Sequence, residues 1–276
     1  MSAASSVVDP KVRCNVLGVG ISAVNRPLAL QRIAGWIANG AHQYVCITGV
    51  HGVIESQRDE KLRQIHNAAG MVTPDGMPMV WMNRLAGIAH VSRVYGPDLM
   101  LDVCAASEAV GYKHFFYGGG DGVADLLKAK LLEKFPKLQV VGTYCPPFRP
   151  LTDVEDRDLI ETINRSEADI VWVGLSTPKQ EYWMSSHVGK LKAAVMVGVG
   201  AAFDFHAGLK KQAPSWMQKI GMEWFFRLVT EPRRLWKRYL RNNPLFVWYV
   251  LLQWLRIRRC KLDDSTVIRA EPLPNA

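Results

Sequence analysis

The 276-residue chain has few cysteines and no cysteine pattern. Cys14, Cys46, Cys104, Cys145 and Cys260 make an odd count with no C-x-x-C pair. That speaks against a disulfide framework and a structural zinc site, and it fits a reducing compartment. The seven histidines (His42, His51, His66, His90, His114, His187, His206) are scattered, and none makes an H-E-x-x-H or comparable ligand spacing. No metal is therefore expected. The dinucleotide fingerprint G-x-G-x-x-G is also missing. The N-terminal "MSAASSVVDPKVRCN" has no apolar run of signal-peptide length, so no export is expected. The apolar run "LFVWYVLLQWL" covers only Leu245–Leu255, against the roughly 20 residues a membrane span needs. Acidic residues are nearly absent from one region. Between Phe205 and Leu262 there are 13 Lys or Arg but only Glu223 and Glu231, while the rest of the chain is close to neutral. That segment calls for an anionic partner.

What is present reads as an ordinary globular core. Hydrophobic residues are 49% of the chain, enough to bury a sizeable interior. Up to about residue 208, short apolar runs alternate with helical patterns. Gln43–Val50, Lys113–Gly120, Leu138–Tyr144, Ala168–Ser176 and Lys192–Gly200 read as strands. One helical pattern follows the first of these, ending on Gly70. Others cover "DGVADLLKAKLLEKFP", the stretch capped by Thr152 or Asp153, and a segment starting near Pro178. Continuous apolar strands separated by helices predict a Rossmann-like α/β fold, a parallel sheet with helices on both faces. Ligands in such folds bind beyond the carboxyl ends of the strands.

Polar loops stand at those ends: "TGVHG", "TPDG", "YGGGDG", "GLSTPKQE" and "GVGAAFDFHAG". In the second, Asp75 lies between Pro74 and Gly76, bounded by apolar residues. Two readings fit it: an Asx-type turn, or a partly desolvated carboxylate able to act as a general base. Gly118, Gly119 and Gly120 fit a tight turn, and equally a set of backbone amides holding a nucleotide phosphate. Gln180 can offer both a donor and an acceptor to a base or sugar edge. Asp204 is a further substrate-binding candidate.

After Phe205 the chain is helical, aromatic and basic, and Pro232 and Pro244 are expected to divide it. Leu245–Leu255 is a helix docked on the core or lying in a membrane interface. The expected organisation is a core over 1–208, a basic helical appendage over 209–262 and a disordered tail over 263–276.

Taken in order, "TPDGMPMVW", "RVYGPDLM", "FFYGGG", "VWVGLSTPKQEYW", "GVGAAFDF" and "QAPSWMQKIGMEWFFRLVTEPRRLWKRYL" resemble the TagA/WecG/CpsF family of bacterial glycosyltransferases over about residues 15 to 243. The resemblance implies an inverting enzyme that needs neither metal nor cofactor. It would move a sugar from a UDP-sugar to a polyprenyl-diphosphate-linked sugar at the cytoplasmic membrane face, in cell-surface or exopolysaccharide synthesis. It implies Asp75 as catalytic base, with Thr48 and Arg93 beside it and Gln180 in the substrate loop. It also implies C-terminal arginines that close over the site; Arg227, Arg233, Arg234 and Arg238 are the candidates. One position departs from the family. Many members read T-x-N after the first strand, where the Asn is proposed to contact the acceptor; here the stretch is Thr48-Gly49-Val50, followed by His51. Val50 has no amide to offer, which makes His51 the candidate substitute and leaves both sugars open. The partners implied are the UDP-sugar, the lipid-linked acceptor and an anionic membrane surface, with a homo-oligomer compatible. The alternatives are a nucleotide-dependent oxidoreductase or epimerase, disfavoured by the missing fingerprint, and a non-enzymatic membrane or nucleic-acid module. The latter needs no such set of loops, so no nucleic acid is expected.

Overall fold

The structure, a computed structural model, describes residues 12–262 and the backbone of 268–270. The strands are β1 (Val12–Val16), β2 (Val19–Ser22), β3 (Gln43–Thr48), β4 (Met71–Pro74), β5 (Lys113–Gly118), β6 (Gln139–Tyr144), β7 (Ile170–Gly174), β8 (Val195–Gly198) and β9 (Ile268–Ala270). The helices up to residue 206 are α1 (Arg26–Ala38), α2 (Val50–Glu55), α3 (Glu60–Ala68), α4 (Met77–Leu85), α5 (Gly96–Val110), α6 (Val123–Lys134), α7 (Asp153–Arg165), α8 (Lys179–His187) and α9 (Ala202–His206). Beyond them come α10 (Ser215–Lys219), α11 (Glu223–Thr230) and α12 (Pro232–Trp254).

Six strands form one parallel sheet in the order β4-β3-β8-β7-β5-β6. All five strands expected from the apolar runs are in it. The sixth, β4, came disguised, because its four residues run directly into the Asp75 turn. Helices cover both faces. One core layer gathers Val53, Ile54, Val72, Val171 and Met184. The other gathers Ile33, Leu99, Phe116, Trp172 and Phe203. A small second sheet, β2-β1-β9, packs beside the first. In it β9 runs parallel to β1, so part of the expected disordered tail is a strand. Residues 263–267 and 271–276 lie outside the described residues.

Local chemistry accounts for the helix boundaries. Thr152 caps α7 with a full capping box completed by Glu155. The single helix expected after β3 is two, because Asp59 leaves helical geometry and its side chain accepts from the Leu62 amide to start α3. Pro232 opens α12, as expected, but Pro244 does not divide it; the helix runs through. A proline there strips the Leu240 carbonyl of its partner. Leu240 and Pro244 are both on the exposed side, where water can take that bond.

α12 has two apolar faces. Leu235, Asn242 and Phe246 are buried, with Tyr249 packed on the core beside them. Trp236, Leu240, Val247, Leu251 and Trp254 recur at helical spacing on an exposed face. No helix among the described residues is long and apolar enough to cross a membrane.

Candidate active site

The loops after β3, β4, β5, β7 and β8 converge with α10–α12 on one cleft of about 1510 Å³. Asp75 is fixed in it by its backbone. Its N–H donates to the Thr48 carbonyl at 3.0 Å, and the Val94 N–H donates to Pro74 at 3.0 Å. Gly76, at φ +85°, makes the turn into α4. Gly49 lies so close that a Cβ there would sit 2.8 Å from the Asp75 carbonyl oxygen. The Asp75 side chain keeps 31% of its surface open to the cleft while protein crowds its other sides. That desolvation raises its pKa, against the pull of Arg93, Arg227 and Arg238.

Arg93 links Asp75 to the C-terminal helices. Its Nε lies 3.7 Å from Asp75 Oδ1. Its terminal nitrogens donate to Gln218 Oε1 at 2.8 Å and to the Glu223 carboxylate. The guanidinium stacks over the Tyr95 ring at 4.0 Å. Desolvation, helped by the charge of Asp75, raises the Glu223 carboxyl against the opposing charge of Arg93. Gln218, Glu223 and Tyr95 were not among the candidates read from the sequence. The available signal for Glu223 was its rarity: one of two acids in a basic segment.

Thr48 is buried, and its hydroxyl has no hydrogen-bond partner. The same holds for Gln180 Oε1, while Gln180 Nε2 donates to Glu181 Oε1 at 3.1 Å. A buried acceptor without a donor is costly unless a ligand or water supplies one. Glu181, another residue the sequence reading passed over, is thus the group that orients Gln180. Thr177 also donates to Glu181, at 2.9 Å.

The glycine triplet serves packing first. A Cβ on Gly118 would lie 2.7 Å from the Gly174 carbonyl carbon, and the Gly119 amide donates to the Gly174 carbonyl at 3.0 Å. Gly118 lies behind the cleft surface; Gly119 and Gly120 line it. The Gly119 amide is therefore spent on the neighbouring strand and is not free for a phosphate. Asp204 lines the cleft and pairs with Lys210 at 2.6 Å.

Three of the four candidate arginines line the cleft: Arg227, Arg234 and Arg238. Arg233 does not, and it is exposed. Arg234 pairs with Glu231 at 2.6 Å. Arg227 and Arg238 have no carboxylate at ion-pair distance among the described residues, and the Nε of each is buried without a partner. The Arg227 guanidinium lies 5.7 Å from the centre of the Phe205 ring. Half-buried cations with no carboxylate in contact suit an anionic ligand, although both feel the charge of Asp75 across the cleft. The far end of the cleft carries stacked Tyr117 and Trp183, centroids 4.2 Å apart, and an exposed Phe148. Among the described residues no three His, Cys, Asp or Glu side chains gather to hold a metal. The triplet Asp156-Arg157-Asp158 lies inside α7, where residues two apart do not share a face.

Against known families, the model of the "Glycosyl transferase WecG/TagA/CpsF family" matches residues 14–260. The chain belongs to the WecG/TagA/CpsF glycosyltransferase family. It is a glycosyltransferase. A Bacillus subtilis (strain 168) relative named N-acetylglucosaminyldiphosphoundecaprenol N-acetyl-beta-D-mannosaminyltransferase is 31% identical over 195 residues, 70% of this chain and 73% of the relative. A Bacillus spizizenii relative of the same name is 30% identical over 71% of this chain and 74% of its own. A Staphylococcus aureus relative, again of that name, is 23% identical over 90% of this chain and 96% of its own.

Proposed function

We propose that this glycosyltransferase moves a sugar from a UDP-sugar to a polyprenyl-diphosphate-linked sugar, with inversion and without a metal ion, at the cytoplasmic membrane face in envelope or exopolysaccharide synthesis. The observation that carries the reading is the Asp75 carboxylate and two arginines without an ion-pair partner among the described residues, Arg227 and Arg238, lining the same cleft. Asp75 takes the proton from the acceptor hydroxyl as its oxygen bonds the anomeric carbon. The bond from that carbon to the diphosphate oxygen breaks on the opposite face, which inverts the centre. UDP leaves with the electron pair, and Arg227 and Arg238 receive the charge that a metal ion would otherwise neutralise. Desolvation keeps Asp75 basic enough for the task. The exposed Phe148 ring, which lines the cleft, offers a free flat face to the nucleobase. Thr48 and Gln180 supply the unpartnered polar atoms that a sugar can satisfy.

The relatives' shared name describes transfer onto a lipid-diphosphate-linked N-acetylglucosamine, which supports an acceptor of that class here. An acceptor fixed in a bilayer needs the enzyme at its surface. The exposed face of α12, together with Trp216 on α10, Ile220 just after it, Trp224 and Phe225 on α11, and the nearby Lys and Arg side chains, suits peripheral docking on an anionic membrane. The deciding experiment is a panel of UDP-sugars assayed against lipid-diphosphate-linked monosaccharides, with and without EDTA, and with product analysis. Transfer that survives EDTA and gives an inverted linkage is expected. No transfer with any pair, or loss restored only by added magnesium, contradicts the reading.

A further inference from the structure

A general base needs an oxygen that is free to take a proton. Arg93 Nε stands 3.7 Å from Asp75 Oδ1, too far for a hydrogen bond, and it is buried with no other acceptor. Among the described residues nothing donates to the Asp75 carboxylate. A guanidinium this close to a carboxylate ordinarily closes on it as a two-pronged fork. Here the prongs are turned the other way. One terminal nitrogen of Arg93 donates to Gln218 Oε1 at 2.8 Å, and the other donates to the Glu223 carboxylate. The guanidinium also lies 4.0 Å over the Tyr95 ring. Gln218 offers its oxygen and not its nitrogen, because its Nε2 donates to the Ala213 carbonyl at 2.8 Å. Gln218 belongs to α10 and Glu223 to α11, so the grip on Arg93 comes from helices that bury no residue of their own.

From this geometry we infer that Gln218 and Glu223 are positioning residues for the proton transfer: they draw the Arg93 fork off Asp75, and the carboxylate stays uncommitted while α10 and α11 are in place. This rests on the transferase reading above, in which Asp75 is the base. When the two helices lift, Arg93 loses both acceptors, and the carboxylate left beside it is Asp75. A chelated carboxylate has a lower pKa and occupied lone pairs, which makes it a poor base. The base is thus blunted while the cleft stands open to water and released when the cleft is closed. The ionisable groups facing Asp75 are Arg93, Asp98, Arg227 and Arg238, together with Glu223, Tyr95 and Tyr239. Gln218 is uncharged, so a neutral substitution there alters none of these charges and reaches Asp75 only by moving Arg93.

The test has two arms on the full-length protein. The first follows the Asp75 carboxyl carbon by NMR as the pH is changed, without substrate, with the signal assigned by its loss in Asp75→Asn. Gln218→Leu is expected to lower the titration midpoint. Gln218→Leu combined with Glu223→Ala lowers it further, by about one pH unit or more, as a guanidinium closing on a carboxylate does. Gln218→Glu, which keeps an acceptor for Arg93, does not lower it. In an Arg93→Met background Gln218→Leu leaves the midpoint unmoved. A midpoint unchanged in Gln218→Leu, or a shift of the same size without Arg93, overturns the inference. The second arm measures transfer from a UDP-sugar to N-acetylglucosaminyl-diphosphate-lipid. The double variant is expected to lose up to about tenfold in kcat, one pKa unit of the base being worth at most that factor, and its acid limb moves with the carboxyl midpoint. Glu223→Gln, which keeps an acceptor, retains most of the rate. A loss confined to KM, or an acid limb that stays in place, is the mark of a loosened helix and overturns the role in proton transfer. A wild type that transfers nothing fails the transferase reading, while the first arm still decides whether Gln218 sets the contact between Arg93 and Asp75.

Discussion

The two walls of the cleft are built in opposite ways. The strand-end wall belongs to a sheet whose central strands are buried along their length, as in β8, where all four residues are inside. The turn carrying Asp75 is tied to that sheet by backbone hydrogen bonds. The facing wall comes from α10 and α11, which bury no residue at all. It is held by side chains: Gln218 and Glu223 on Arg93, Asn242 on His51, and Gly221 against Met77 and Trp81. Elements with little buried apolar area open at low free-energy cost. The group that needs exact placement for chemistry sits on the stiff wall. Of the two charges proposed to receive the leaving group, Arg227 sits on the wall that can lift to admit it, and Arg238 on α12, which is anchored by buried Leu235 and Phe246.

Predictions that break or sharpen this contrast follow in order of size. Asp75→Asn removes the base without changing shape, so kcat should fall by roughly 10²–10⁴, measured as product formed at saturating donor and acceptor. Arg227→Ala with Arg238→Ala leaves the stiff wall intact but removes the diphosphate's counter-charges. UDP affinity by calorimetry should weaken by about 10- to 100-fold, each charge-assisted contact being worth about 1.5–3 kcal/mol before discounting for partial solvent access. Leu240→Glu, Leu251→Glu and Trp254→Glu together alter the exposed face of α12 at positions that do not line the cleft. Sedimentation with anionic liposomes should drop several-fold while the far-ultraviolet circular dichroism is unchanged. Truncation at residue 244 is the poorer test, since Phe246 is part of the core. Glu223→Gln should have the smallest effect. Asp75 and Glu223 repel each other, and Arg93 is shared between them. Removing the second carboxylate therefore stabilises ionised Asp75, lowers its pKa and moves the acid limb of the kcat profile to lower pH. An unmoved limb would separate the two walls electrostatically.

The same contrast explains what the sequence made legible. Runs such as "YVCIT" and "VMVG" mark a buried parallel strand by local pattern alone, and ligand loops follow such strands by rule. Asp75 and Gln180 became candidates in that way, and Thr48 through the family resemblance. Arg93 with Glu223 and His51 with Asn242 are pairs 130 and 191 residues apart, and no local periodicity records who meets whom across such spans. Gly118 and Gly119 left two readings open because a glycine needed for close strand packing and a glycine needed for phosphate look identical in one dimension. Pro244 misled because its cost depends on whether the freed carbonyl meets water, which only the helix's orientation decides. β9 had three residues and no pattern.

The central claim is a division of labour: Asp75 performs the proton transfer, and Arg227 and Arg238 hold the diphosphate. The most direct test compares UDP binding and sugar transfer side by side in Asp75→Asn and Arg238→Ala. Asp75→Asn should bind UDP as the wild type does and transfer sugar roughly 10²- to 10⁴-fold more slowly, while Arg238→Ala should lose UDP affinity in step with its activity. Wild-type turnover in Asp75→Asn, or full UDP affinity in Arg238→Ala, would contradict it.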